Sequence, residues 1–164
     1  MKEGFSITKV ADGVLLVRYP SVEDRRGTTE TPFDADTFEM HARDVAPPGG
    51  LTFERELVSW SKSNVVRGMH FGPDRFSAGY KLIRCSRGSI LDVLVDMRTG
   101  RQSGAPKTLS FELNESSRQS LLVAPYYAHG YAVHGDFAEV HYLLTKADVR
   151  EQAFRWDSFG YRWP

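Results

Sequence analysis

The sequence contains a single cysteine, Cys85, so it has no intrachain disulfide and no cysteine-based zinc site. A lone thiol in an apolar strand-like run reads as core. Long hydrophobic runs are also missing. Stretches such as "GVLLV" fall far short of the roughly 20 apolar residues that a membrane-crossing helix needs. The opening "MKEGFSITKVADG" has no apolar segment of signal-peptide length, so a soluble cytoplasmic protein without a membrane partner is expected. An excess of charge of one sign is lacking too. The 21 Lys and Arg residues balance 21 Asp and Glu, which argues against a nonspecific nucleic-acid binder. A local basic cluster around a small phosphate ligand remains compatible with that balance. No G-x-S-x-G elbow, Walker loop or dinucleotide-binding glycine fingerprint is present. With no repeat, low-complexity tract or linker, the 164 residues read as one domain spanning 1–164.

What is present is all-β in style. Strand-like runs cover residues 13–18, 80–86, 89–97, 108–113, 120–123 and 140–145. Turn-rich pieces separate them: "APPGG", "GPDRFSAG", "SRGS", "RTGRQSGAP", "NESS" and "HGD". One short helix is expected over residues 34–42, "DADTFEMHA", starting with an aspartate cap. Closely spaced strands with one short helix point to a β-sandwich or barrel, of which a jelly roll is one version. In "SILDVLVDMR", Leu91, Val93, Val95 and Met97 share one face. Asp92, Leu94, Asp96 and Arg98 share the other, and its two aspartates suggest a face toward a polar cavity or water.

The titratable groups within apolar strands are Arg67, His70, Lys81, Asp92, His129 and Tyr142. Of the 5 histidines, His41 and His134 read as surface residues, and His141 should face away from its neighbour Tyr142. "VVRGMHF" raises a question of its own. Arg67 and His70 should point to opposite faces of a strand, unless a bulge at Gly68 turns both toward one cavity. Metal catalysis is not expected. His70 is followed by Phe71 and Gly72 rather than a second histidine, and His129 alone cannot supply the three ligands a catalytic metal normally needs. His, Lys and Tyr together suit proton transfer next to a carbonyl. An imidazole takes the proton, a cation stabilises the enolate oxygen, and a phenol returns a proton from the other side.

"NVVRGMHF", "GYKLIRCSRGSILDVLVDMRTG", "LLVAPYYAHGYAV", "AEVHYLLT" and "RWDSFGYRWP" follow in an order that resembles the dTDP-4-dehydrorhamnose 3,5-epimerase family. "DRRGTTETPFDADTF" resembles that family's Asp-x-Arg-Gly segment. The resemblance implies a cupin-type jelly roll, a homodimer, a nucleotide-linked 4-keto-6-deoxy sugar as substrate, and no metal or redox cofactor. It implies that His70 is the general base, Lys81 lies near the keto oxygen and Tyr142 is the proton donor. It further implies that Arg26 and Arg67 bind phosphates and that His129, Glu151 and Glu30 contact substrate, Glu30 standing one position from the family's acid. Thr28-Thr29-Glu30-Thr31 replaces a phenylalanine-rich run, and Arg55-Glu56-Leu57 replaces Gln-Asp-Asn. The sequence reads to Trp163-Pro164 without the family's Leu-Ser-x-Lys-Asp tail, whose aspartate pairs with the base. Asp92 is the expected substitute partner for His70. The same resemblance leaves room for a 3,4-ketoisomerase of the cupin type or for an impaired homologue that only binds sugar nucleotides.

Overall fold

The computed structural model describes residues 4–43, 50–72, 79–98, 106–145, 151–155, 157–158 and 161–163, apart from the side chain of His41. The turns expected within "APPGG", "GPDRFSAG" and "RTGRQSGAP" fall mostly outside these residues. The elements run β1 (Ser6–Ala11), β2 (Val14–Arg18), β3 (Ser21–Asp24), β4 (Gly27–Glu30), α1 (Ala35–His41), β5 (Arg55–Lys62), β6 (Val66–Phe71), β7 (Lys81–Asp96), β8 (Thr108–Asn114), β9 (Gln119–Val123), β10 (Tyr127–Leu144) and β11 (Gln152–Ala153). The helix begins where the aspartate cap predicted it. Asp34 Oδ1 accepts from the Thr37 backbone N–H at 3.0 Å and from its hydroxyl at 2.7 Å. Phe38 of α1 is buried against Phe33 and Phe53, and it joins Leu15, Val17, Leu82 and Leu122 in one apolar cluster.

The strands pair in the order β1-β2-β9-β7-β10-β6-β11, with β5 added to β10 and β8 to β7. Every one of these pairings is antiparallel. Two strands are much longer than the turn pattern suggested. "SRGS" and "HGD" are not hairpin turns; they lie inside the 16-residue β7 and the 18-residue β10. The physical reason is a shared kink. Gly88 and Gly135 have φ of +74° and +92°, and the register between β7 and β10 shifts between His134 and Ala138, so both strands bend at one level without ending.

That bend makes a sandwich. The first part of β7 pairs with β9 and its second part with β8. The later part of β10 pairs with β5, its earlier part with β6. Each long strand therefore serves both layers, as expected of a jelly-roll β-sandwich. Ile83, Ile90, Leu94, Leu113, Leu121 and Val140 fill the space between the layers and are fully buried. Of the two surroundings the alternation suggested for the face with Asp92 and Asp96, a polar cavity or water, it does not look onto water. Asp92 is 0% and Asp96 4% exposed. Asp96 is closed off by Arg98, whose Nη2 donates to it at 2.6 Å.

Candidate active site

Arg67 and His70 do share a cavity, and Gly68 is the cause. His70 pairs with His129 and Arg67 with Tyr131, so β6 spends three residues where β10 spends two. The extra residue sits at Gly68, with φ of +106°, where an added Cβ would run into Gly130 Cα and the His129 carbonyl. One bulge thus reverses the alternation, and the side chains at 67 and 70 emerge on one side.

The same device recurs in β7 and β10. Lys81 and Asp92 are an odd number of residues apart, as are Tyr131 and Tyr142, and strict alternation would separate each pair. The register shifts in these strands, between His134 and Ala138 and between Glu139 and Val140, restore a common face. Tyr142 meets His129 edge-on, ring centroids 5.9 Å apart. His141 faces the other side of the sheet, as expected, where its two ring nitrogens lie 2.8 Å from Glu56 and 2.9 Å from Glu139.

The resulting cavity holds about 300 Å³. Arg67 and His70 come to it from β6, Lys81 from β7, His129, Tyr131 and Tyr142 from β10, and Glu151 from the residue before β11. Arg55, Leu57 and Ser59 of β5 form another wall, with Tyr80 and Leu144 beside Lys81. Lys81 Nζ is ion-paired with Glu151. Burial holds the pKa of His70 below the ordinary imidazole value, the Glu151 carboxylate pulls it back up, and His129, Lys81 and Arg67 add to the lowering. His70 therefore favours its neutral, proton-accepting form. Burial also pushes the phenol of Tyr142 well above its usual range, so it keeps its proton.

Asp92 does not partner His70. Its Oδ2 lies 2.7 Å from His129 Nε2, deep in the core, where the residues are 0% and 3% exposed. The register explains this, since Asp92 of β7 stands opposite Tyr131 of β10, one pleat from His129. Asp92 Oδ1 has no hydrogen-bond partner among the described residues. Among the described residues, it is the Glu151 carboxylate that raises the pKa of His70. Two other expected contacts lie elsewhere in this chain. Arg26 is exposed at the tip of the β3–β4 hairpin and grips Asp24 at 2.6 Å, and Glu30 pairs with Arg118 at 3.4 Å; neither lines the cavity. Tyr131 and Ser59 line it without having been singled out from the sequence, whereas Arg55 and Leu57 belong to the segment noted there as replacing Gln-Asp-Asn. Tyr131 had a signal, since it stands two residues after His129 in "AHGY" and so shares its face. The serines of β5 had none, because no strand was recognised there.

An end cavity of a β-sandwich that combines an imidazole, an ammonium and a phenol with flanking guanidinium groups marks a cupin-type isomerase. Comparison with known proteins makes the class specific. The chain belongs to the dTDP-4-dehydrorhamnose 3,5-epimerase family, which residues 8–163 match. The dTDP-4-dehydrorhamnose 3,5-epimerase of Sinorhizobium fredii is 32% identical over 155 residues, 92% of this chain and 76% of that protein. The enzyme of the same name from Salmonella typhimurium is 30% identical over 164 residues, 96% of this chain and 85% of that protein. The crystal structure of dTDP-4-dehydrorhamnose 3,5-epimerase from Sulfolobus tokodaii aligns with a TM-score of 0.81 at 26% identity, covering 98% of this chain and 86% of that one. The chain is thus an isomerase of the dTDP-sugar epimerase type.

Proposed function

We propose that this chain inverts carbon 3, carbon 5 or both of a dTDP-linked 4-keto-6-deoxy sugar, without a metal or redox cofactor. The observation that carries the reading is the convergence of His70, Lys81 and Tyr142 on one cavity. Carbons 3 and 5 both flank the ketone at carbon 4, so their protons are acidic through an enolate. His70 removes the proton, because burial keeps its imidazole neutral. Lys81, held by Glu151, meets the oxygen on which the charge develops. Tyr142 delivers a proton to the opposite face of the carbon. His129 is fixed by Asp92 in the tautomer that donates from Nε2 to the carboxylate, and its remaining nitrogen is left for the sugar. Arg67 supplies charge for the diphosphate, and Arg55, which also lines the cavity, adds a further guanidinium.

The working unit in this reading is a homodimer. Among the described residues β5 pairs only with β10, and its open edge carries Leu57, Val58 and Trp60 at 52%, 39% and 64% exposure. Among the described residues the β3–β4 hairpin that holds Arg26 joins no other strand. Sedimentation at assay concentration tests this, and a monomer mass would refute it.

The chemistry is tested in heavy water with dTDP-4-keto-6-deoxyglucose, reading the position of label by NMR and mass spectrometry. Label at carbon 3 or 5 with inversion is the expected result for the wild type. His70→Ala should abolish exchange while leaving nucleotide binding largely intact. Exchange at the wild-type rate in that variant would remove His70 as the base, and no label with the wild type would indicate another sugar nucleotide or a binding protein.

A further inference from the structure

Arg67 is exposed, yet its side chain is held at two points. Its Nε donates to Ser61 Oγ at 2.6 Å, and its Nη2 donates to the Trp60 carbonyl at 3.1 Å. Ser61 is itself buried, at 4% exposure, and its Oγ lies 2.8 Å from the Tyr131 hydroxyl. That hydroxyl is also 2.8 Å from Ser59 Oγ, and Tyr131 is fully buried. The register accounts for the meeting. Arg67 of β6 stands opposite Tyr131 of β10, while Ser61 of β5 pairs with Ala138 further along the same strand. Ser59 and Ser61 share one face of β5, which brings both hydroxyls to Tyr131. Two adjacent residues of β5 thus hold an arginine of β6, with β10 between them.

A guanidinium N–H can only donate. Ser61 Oγ and the Trp60 carbonyl are therefore the acceptors, whichever way the hydroxyl hydrogens of Ser59, Ser61 and Tyr131 point. Nε and Nη2 belong to one edge of the planar group. Nη1 makes no hydrogen bond among the described residues, so the guanidinium keeps donors for the cavity that Arg67 lines. A free arginine arm samples many rotamers, and a ligand that must order it loses affinity. An arm already fixed along one edge has met that cost in the fold.

We infer that Ser61 is a positioning residue: with the Trp60 carbonyl, and backed by Tyr131, it seats Arg67 so that the remaining N–H groups meet the diphosphate of the sugar nucleotide. This rests on Arg67 being a diphosphate contact. The diphosphate is remote from the carbons that lose and regain protons, so it is bound equally in the ground state and the transition state. A defect in the seat therefore falls on KM and on dTDP affinity, and leaves kcat in place. Ser61→Ala isolates this effect. It keeps the charge of Arg67, and the Tyr131 hydroxyl retains Ser59, so no buried hydroxyl is stranded.

The test compares wild type, Ser61→Ala, Arg67→Ala and the Ser61→Ala/Arg67→Ala double variant. Calorimetric titration with dTDP gives affinity without any turnover, and dTDP-4-keto-6-deoxyglucose gives KM and kcat. Ser61→Ala should weaken dTDP binding and raise KM by roughly 3- to 10-fold, the worth of one immobilised long side chain, with kcat unchanged. Arg67→Ala should weaken dTDP binding by roughly tenfold or more. In the Arg67→Ala background, Ser61→Ala should then change dTDP affinity no further. Wild-type affinity and KM in Ser61→Ala, with Arg67→Ala weakened, would overturn the seat and leave Arg67 as the diphosphate contact. An equal loss from Ser61→Ala in both backgrounds would overturn it too, since Ser61 would then act on the ligand without Arg67. A kcat that falls along with affinity in Ser61→Ala would show a structural role instead. Wild-type dTDP affinity in Arg67→Ala would overturn the diphosphate contact itself.

Discussion

Gly68→Ala would place a Cβ 2.7 Å from Gly130 Cα and 2.7 Å from the His129 carbonyl oxygen, at a residue whose φ is +106°. Both obstacles are backbone, so no side-chain rotation relieves them. Holding an alanine at that φ costs about 1–3 kcal/mol. Moving β6 away from β10 to make room costs a further 1–3 kcal/mol or so, as overpacking generally does. Together these are about 2–6 kcal/mol, a large part of the roughly 5–15 kcal/mol that stabilises a typical domain. At about 2–4 °C per kcal/mol for a chain of this size, Tm should fall by at least about 4 °C. Urea and thermal melts of variant and wild type, run side by side, read the stability. Heavy-water exchange on the fraction that remains folded reads the site. Exchange should fall more steeply than stability, because the bulge at Gly68 turns Arg67 and His70 to one side. A melt within about 0.5 kcal/mol of wild type, together with unchanged exchange, would refute the argument, since surface changes away from special features stay within that range.

Three further outcomes follow from the charges around the cavity. The acidic limb of the kcat/KM profile should lie below the ordinary imidazole value, because His70 must be neutral to act and burial lowers its pKa. Glu151→Gln removes the anion that draws this pKa upward, so the limb should move to still lower pH; a limb that stays in place or moves up would show that Glu151 does not act on the base. Asp92→Ala leaves the buried His129 N–H without its acceptor and should destabilise by about 1–3 kcal/mol, with Asp92→Asn milder because it keeps the shape and one acceptor. A urea melt in which Asp92→Ala is neutral would count against the pair as a structural tie.

Much of the site was legible in the sequence, and so was the fold class. The strand-like runs, the aspartate-capped helix at Asp34 and the jelly-roll expectation all reappear in the structure. So do the convergence of His70, Lys81, His129, Tyr142 and Glu151, and the outward turn of His141. The suggestion that Gly68 joins Arg67 to His70 also agrees with the register. Less legible were the lengths of β7 and β10. A glycine at positive φ looks the same in sequence whether the chain turns back or bends and continues, and only pairing with the neighbouring strand distinguishes the two. Strand β5 went unseen because its "RELVSWSK" mixes charged, apolar and hydroxyl residues, and with it went Ser59 and Ser61.

The sequence by itself determined which chemical groups this protein has to work with, and in local runs which of them sit among apolar neighbours. It could not determine which groups meet. Side-chain direction alternates along a strand, and each bulge reverses every position beyond it. The bulge in β6 and the kinks in β7 and β10 are settled by pairing between strands far apart in sequence. Tertiary structure alone therefore decided that Asp92 belongs to His129 rather than His70, that Glu151 answers to Lys81 and His70, and that the Tyr131 hydroxyl sits between Ser59 and Ser61, the second of which accepts from Arg67.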